Sequence, residues 1–320
     1  MSALPLSPSS AVDKSETVVI LGSANADLVV HVDRRPSGGE TLLGGDLHLF
    51  PGGKGANQAA AAARCGASVT FLGALGRDSN ADLLLSALGG AGVDTSHVMR
   101  ADVPTGCALI QITPDGENSI VVSPGANSLM DIPAADALRD TWLGAGVLVL
   151  ALEIPFETVL HVVEVVGNTG VRLLLNAAPA RTLSPATLRH CDPLVVNETE
   201  AREVLGNSAI APDAPFEVLA QALLLAGARS VVITLGVDGS LITDGGPVVH
   251  VPAYRVDAVD TTGAGDAFVG AVAAELARGV ALEDAVRFAT AVSAVSVQKL
   301  GAQSSYVDRA HVESFIASHR

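Results

Sequence analysis

The chain has 320 residues, 49% hydrophobic and only 17% charged, which suits a well-buried core and excludes a disordered protein. Its 34 Asp and Glu outnumber 19 Lys and Arg, a formal charge of −15 that repels nucleic acid and anionic membranes and otherwise reads as a solubility feature. Cys65, Cys107 and Cys191 are far apart and form no CxxC pair, so a disulfide framework or zinc knuckle is disfavoured and a reducing, cytoplasmic setting is expected.

The opening "MSALPLSPSSAVDKSE" (1–16) is rich in Ser and Pro and lacks a long apolar core, so it reads as a flexible tail rather than a signal peptide. "TVVILG" (17–22) reads as a buried first strand. Residues from about 29 to 51 alternate less cleanly around "RRPSGGE" and predict short strands and turns. "GGKGANQAAAAARCG" predicts a helix from near Gly53, stopped at Gly66. Its many alanines allow close helix packing. "SVTFLG" is a strand and "NADLLLSALGGAG" a helix ending in glycines. Between about 102 and 124 the pattern is β-like again, with "CALIQIT" and "NSIVVS" flanking "PDGE" as a hairpin.

After that, strands "VLVLAL", "VRLLLN", "PLVVN" and "SVVITLG" alternate with helices near 157–168, 198–205 and 215–227. Two helices near 264–278 and 282–298, and a short one after Asp308, close the chain. The longest strongly apolar stretch, around 143–152, is too short to span a bilayer. Alternation of β and α predicts an α/β fold with a mostly parallel sheet covered by helices. The expected organisation is one domain over 17–320. Its two β-rich insertions, near 29–51 and 102–124, would join as a small sheet over one end.

No GxxxxGK[ST] loop is present, and "GGKGANQ" lacks the third glycine of a dinucleotide fingerprint. HExxH, GxSxG and paired-carboxylate motifs are also missing from the sequence. The informative segment is "VDAVDTTGAGDAFVGA" (256–271). Gly263, Ala264 and Gly265 precede a helical pattern, where unpaired N–H groups and the helix dipole favour an anion. Yet Asp266, an acid, follows at once. It can be a capping acid stabilised by the dipole. It can also be a proton acceptor, because phosphoryl transfer needs an anion cradle and a base for the attacking hydroxyl side by side.

"DTTGAGDAF" (260–268) and "GGKGANQA" (52–59) resemble the two signatures of the ribokinase-like carbohydrate kinases. "NAD" (25–27), "PGAN" (124–127), "NAAPAR", "VNETEA", "VITLGVDG" and "KLGAQSS" stand in the same order as in that family. The resemblance covers nearly everything after residue 16. It implies a three-layer α/β fold with a β lid and ATP-dependent phosphorylation of D-ribose at its 5-hydroxyl. It further implies Mg²⁺ with the nucleotide, a K⁺ activator and a homodimer formed through the lid.

Residue by residue, the resemblance implies Asp266 as base and Gly263, Ala264 and Gly265 as anion hole. Asn25, Asp27, Gly53, Lys54, Asn57 and Glu153 would hold the sugar. On residues alone, the first pair also reads as an Asx turn, the glycine-lysine run as a tight helix start, and Glu153 as a solvated acid. Asn197, Glu200, Thr234, Leu235, Gly236, Gly239, Gly265 and Thr290 would lie on the ATP side. Asn197 and Glu200 also suit an ordinary helix N-terminus. Thr290 departs from the His or Asn common at its position. Asp260, Thr262, Ser296, Lys299, Gly301 and Ser305 would cage K⁺, all through carbonyls except Asp260 and Ser305; the alternative is a plain helix end capped by Gly301. A nucleoside kinase of the same fold is the nearest rival, although aromatic residues are only 3% and Phe50 is alone in either lid segment. A non-catalytic sugar-binding regulator is the rival of another class; it would be expected to lose Asp266 or the glycine loop.

Overall fold

The computed structural model describes residues 16–115, 118–206, 210, 211 and 213–319. Residues 1–15 of the expected tail, and Gly116 and Glu117 of the "PDGE" turn, lie outside them. In chain order the first half contains β1 (Thr17–Leu21), β2 (Asn25–His31), β3 (Leu47–Gly52), α1 (Lys54–Arg64), β4 (Ser68–Leu72) and β5 (Ala74–Leu75). It continues with α2 (Ser79–Ala91), β6 (Met99–Arg100), β7 (Gly106–Ile112), β8 (Asn118–Ser123), α3 (Ile132–Ala137) and α4 (Arg139–Leu143). The second half opens with β9 (Val147–Ala151), α5 (Phe156–Val166), β10 (Arg172–Asn176), α6 (Pro185–Leu188), β11 (Leu194–Asn197), α7 (Glu198–Leu205) and α8 (Phe216–Leu225). It closes with β12 (Val231–Thr234), β13 (Ser240–Thr243), β14 (Val249–Val251), α9 (Ala264–Ala277), α10 (Leu282–Ser296) and α11 (Arg309–Ser318).

Eight strands form the large sheet in the order β14-β13-β12-β11-β10-β9-β1-β4, parallel from β4 to β12 and antiparallel at the β13–β14 edge. The alternation of side chains along each strand divides the core in two. Val18 and Ile20 pack with α1, α2, α9 and α10, while Val19 and Leu21 pack with α3, α5, α7 and α8. This is the three-layer arrangement expected of helices covering both faces of a parallel sheet. Among the described residues no helix is long and apolar enough to cross a membrane.

The four-stranded small sheet has the order β3-β2-β7-β8, with β2 and β7 parallel. It begins at Asn25, four residues before the expected start, because the chain passes from β1 to β2 through three residues only. Its pleat separates two faces. Asp27, Phe50, Ala108 and Val122 lie in one cross-strand row. Leu28, Leu49, Leu109 and Val121 lie in the next, on the opposite face, where Leu49, Leu109 and Val121 are exposed.

One close contact positions the site. A Cβ on Gly270 of α9 would lie 2.5 Å from the Gln58 carbonyl oxygen and 2.7 Å from the Ala61 Cβ of α1. A larger residue at 270 would push the two helices apart. The alanines of α1 and the glycine of α9 therefore let the helices touch, which brings Asn57 and Gln58 beside Asp266.

Candidate active site

The parallel strands end at one edge of the large sheet, where open α/β sheets place their ligands. There β1 passes into Asn25, Glu153 follows β9, Asn176 ends β10, Asn197 ends β11 and Thr234 ends β12. The N-termini of α1 and α9 meet at this edge. Gly53 caps α1 with φ 87°, and a Cβ on it would stand 2.6 Å from the Asn25 nitrogen. Gly263 caps α9 in the left-handed region with φ 74°, so both caps require glycine.

Asp266, buried in the first turn of α9, accepts on both oxygens. Asn57 Nδ2 donates to Oδ2 at 2.9 Å and Gln58 Nε2 donates to Oδ1 at 3.1 Å. Burial lifts its carboxyl above the ordinary Asp value, against the opposing pull of Lys54, Asn57 and Gln58. The first-turn amides of α9 have no carbonyl one turn back to bond. Ala264 N, however, donates to the Thr261 carbonyl at 3.2 Å, so of the three residues expected in the hole its amide is already engaged.

Toward the small sheet, the carboxylates of Asp27 and Glu153 lie within reach of each other's charge. Burial, with Glu153 and then Asp266 adding repulsion, pushes the Asp27 carboxyl up to about 7. Gly52 closes on it, since a Cβ there would fall 2.0 Å from Asp27 Oδ2. Glu153 Oε2 accepts from Ser23 Oγ at 2.6 Å and from the Lys54 amide at 3.0 Å. Burial alone would lower the Lys54 ammonium; Asp266, Glu153 and Glu200 reverse that and hold it above the usual lysine value. Asn25 Oδ1 accepts from Asn127 Nδ2 at 2.8 Å, which orients its amide and leaves the NH₂ as donor for a ligand. Asn57 is likewise engaged, donating to Asp266 and accepting from Gln303 Nε2 at 3.0 Å.

On the other side of Asp266 lie two cavities. A polar one of about 150 Å³ is lined by Lys54, Asn197, Glu200, Gly263, Gly265 and Asp266. A larger, apolar one of about 300 Å³ is lined by Gly236, Gly239, Phe268, Thr290 and Val297 among others. Gly265 and Thr234 line both and join them. Leu235 does not line either; its amide closes a turn onto the Gly239 carbonyl at 2.8 Å. Asn197 and Glu200 form a reciprocal capping box on α7, so the structural reading of this pair holds as well. Burial, opposed by the Asn197 amide and Lys54, raises the Glu200 carboxyl.

The residues expected around K⁺ come together in two linked segments. Asp260 Oδ1 accepts from Thr262 N at 2.9 Å and Oδ2 from Gly301 N at 2.8 Å. The Val259 and Asp260 amides both donate to the Val297 carbonyl. Ser305 is buried and its hydroxyl donates to the Ala302 carbonyl, Ser296 is buried, and Lys299 is exposed. Gly301 has φ 79° but is not the cap of α10, which Val297 supplies.

Residues 15–309 match the pfkB family of carbohydrate kinases. The chain belongs to this family. It is 38% identical to a ribokinase of Staphylococcus aureus, over 90% of this chain and 95% of that protein. It is 36% identical to a deoxyribokinase of Salmonella typhi, over 90% and 95%. The structure of Arabidopsis thaliana ribokinase complexed with ribose and ATP matches with a TM-score of 0.86 and 34% identity, covering 94% of this chain and 98% of that one.

Several residues of this pfkB kinase were not given roles by their sequence pattern. Ser23 stands between the first strand and "NAD" with no motif of its own. Asn127, Asn176 and Gln303 lie inside the noted stretches "PGAN", "NAAPAR" and "KLGAQSS", and Gln58 follows Asn57. Tyr306 Oη donates to the Gly263 carbonyl at 2.8 Å, so the C-terminal segment also braces the glycine loop. Arg255 is the charged side chain lining the larger cavity, and no signal in the sequence marked it.

Proposed function

We propose that this kinase transfers the γ-phosphoryl group of ATP to the 5-hydroxyl of D-ribose, giving D-ribose 5-phosphate and ADP. The observation that carries the reading is the place of Asp266. It shares one helical turn with the Gly265 amide and stands between a polyhydroxyl-binding set and a polar cavity opening toward a larger apolar one. The ribokinase relatives and the ribose–ATP complex of the Arabidopsis enzyme support the same assignment.

In this reading Asp27, Glu153, Lys54, Asn25 and one remaining N–H of Asn57 hold the sugar hydroxyls, with Gly53 admitting the ring to the backbone. The 5-hydroxyl oxygen attacks the γ-phosphorus in line, its proton passes to Asp266, and the bond to the β,γ-bridging oxygen breaks. The Gly263 and Gly265 amides and the dipole of α9 stabilise the charge on the transferring group. The larger cavity takes the adenosine, between Thr290 and the turn of Thr234, Gly236 and Gly239. The small sheet acts as a lid whose Asp27 face covers the sugar and excludes water as a competing acceptor.

Glu200 and Asn197 suit the water shell of Mg²⁺, a hard cation that keeps its waters beside nucleotides and neutralises phosphate charge. The carbonyls of Thr262, Ser296, Lys299 and Gly301, with Asp260 and Ser305, suit a monovalent cation that steadies the glycine loop; the Asp260–Gly301 bond already joins the two segments. The exposed row of Leu49, Leu109 and Val121 supports pairing of two lids in a homodimer. We place the protein in the cytoplasm, a compartment that keeps its three cysteines as thiols. Its partners are then small molecules, with no nucleic acid or membrane.

Incubation with Mg-ATP and a panel of D-ribose, 2-deoxy-D-ribose, other pentoses, hexoses and nucleosides tests the assignment. Mass and NMR identify the product. A ribose signal no stronger than that of a hexose or nucleoside would overturn it.

A further inference from the structure

Both oxygens of Asp266 are held by side-chain amides, and the orientation of those amides can be worked out from outside the site. The Val195 backbone carbonyl can only accept. Asn176 therefore presents its NH₂ to it, at 3.2 Å, and turns Oδ1 toward Gln58. Gln58 must then offer N–H to Asn176 Oδ1, at 3.0 Å, and its other N–H reaches Asp266 Oδ1 at 3.1 Å. Flipping the Gln58 amide would put its oxygen against two acceptors.

The retained orientation leaves Gln58 Oε1 buried without a partner among the described atoms. An unpaired buried acceptor costs free energy and calls for a compensating role. Gln58 is fully buried, so it is not competing for solvent. On the other flank Gln303 repeats the pattern. Its Nε2 donates to Asn57 Oδ1, Asn57 Nδ2 donates to Asp266 Oδ2, and Gln303 Oε1 is again buried and unpaired.

We infer that Gln58 is a positioning residue for Asp266. With Asn176 behind it, it fixes the carboxylate's rotamer and favours its ionised form, so that one lone pair stays aimed at the substrate hydroxyl. The inference rests on Asp266 acting as the base. Gln58 touches neither sugar nor nucleotide; it acts through the carboxylate. Two amide chains, one from β10 and one from the C-terminal segment, thus deliver N–H groups to the same acid.

Gln58→Met keeps the length and burial and removes both N–H groups. The expected result is a roughly 10- to 100-fold fall in kcat, the range for a hydrogen bond to a charged group, with the ribose KM nearly unchanged. The acidic limb of the kcat–pH profile should move up by about 1 unit, because a bond that favoured the ionised form is gone. Lys54, Glu153, Asp27, Glu200 and Tyr306 also act on Asp266 or feel it, and Q58M leaves all of them in place.

Asn176→Leu, which does not touch Asp266, should move the limb in the same direction. The double variant should be little worse than Q58M alone, since both act on one chain. A merely structural role would lower the melting temperature without moving the limb. A folded Q58M, or N176L if Q58M does not fold, with wild-type kcat and an unmoved acidic limb would overturn the inference. If Asp266→Asn retained full turnover, the base assignment itself would fall instead, so the two failures are distinguishable.

Discussion

Asp266→Asn isolates the proton acceptor with almost no change of shape. The side chain keeps its volume and its place in the first turn of α9. One oxygen becomes NH₂, which sets a donor against either Asn57 Nδ2 or Gln58 Nε2. Neither neighbour can flip freely, because Asn57 Oδ1 accepts from Gln303 and Gln58 is fixed by Asn176. One charge-assisted hydrogen bond is lost, about 1.5–3 kcal/mol. Against this, a buried negative charge disappears, and burial is what raises the Asp266 carboxyl in the first place. The two effects oppose each other, so the melting temperature should stay within about 3 °C of wild type. Turnover should not. A positioned general base contributes roughly 10²–10⁴-fold, or about 2.7–5.5 kcal/mol of barrier. Coupled ADP release at saturating ribose and Mg-ATP measures kcat, and calorimetry measures ATP affinity, which should hold or improve as a carboxylate near the γ-phosphate is neutralised. A folded mutant turning over within about fivefold of wild type would refute the base role.

Asp27→Ala should weaken ribose binding by about 1.5–3 kcal/mol per lost bond and leave ATP binding nearly unchanged; equal ribose affinity by calorimetry would remove Asp27 from the site. With its folded value raised to about 7, Asp27 stabilises the fold while protonated, a contribution complete below its unfolded value of 3.8 and lost as pH rises through about 7. Ribose affinity should therefore grow between pH 6 and 8, and Asp27→Asn should flatten both that dependence and the decline in melting temperature expected between pH 3.8 and about 7. Turnover should be higher in K⁺ than in Na⁺ or a large organic cation at matched ionic strength and constant Mg²⁺, with less effect on ribose KM; three equal rates would end the cation proposal. Charges placed on the outer lid face by L109K and V121K should give a monomer by sedimentation, whereas an unchanged mass would exclude that face as the dimer contact.

What was legible in the sequence is what is local. The helices α1 and α9 announce themselves through glycine starts followed by alanine-rich periodicity, and the parallel strands through apolar runs between them. The β13–β14 edge escaped because "SLIT" and "VHV" are four and three residues long and sit among turn residues. Residues such as Asp27, Lys54 and Asp266 stand in compact motifs, so their types and neighbours suggested chemistry. Gln58, Asn176 and Gln303 lie in such stretches too, but their partners could not be read from them. Their bonds join positions 118 to 246 residues apart and exist only once α1, α9, β10 and the C-terminal segment are packed. Nothing linear pairs them.

On the proposed assignment, an acid beside an anion-binding loop follows from the same geometry. Gly265 and Asp266 are consecutive on a helix, so about 1.5 Å of rise separates the amide proposed to meet the phosphoryl charge from the acid proposed to take the proton. Helix geometry, rather than a loop, would set the spacing of the proposed hole and base. Burial first, and then repulsion from Glu153 and Asp266, lift the Asp27 carboxyl to about 7. A neutral polyol resolves that repulsion by donating its hydroxyls. An anionic sugar would add to it, and so would the phosphate ester formed in the reaction. On the proposed assignment, the carboxylates that recognise the acceptor would therefore disfavour the product once the phosphoryl group has crossed, and Lys54, held charged among Asp266, Glu153 and Glu200, would offset part of that repulsion.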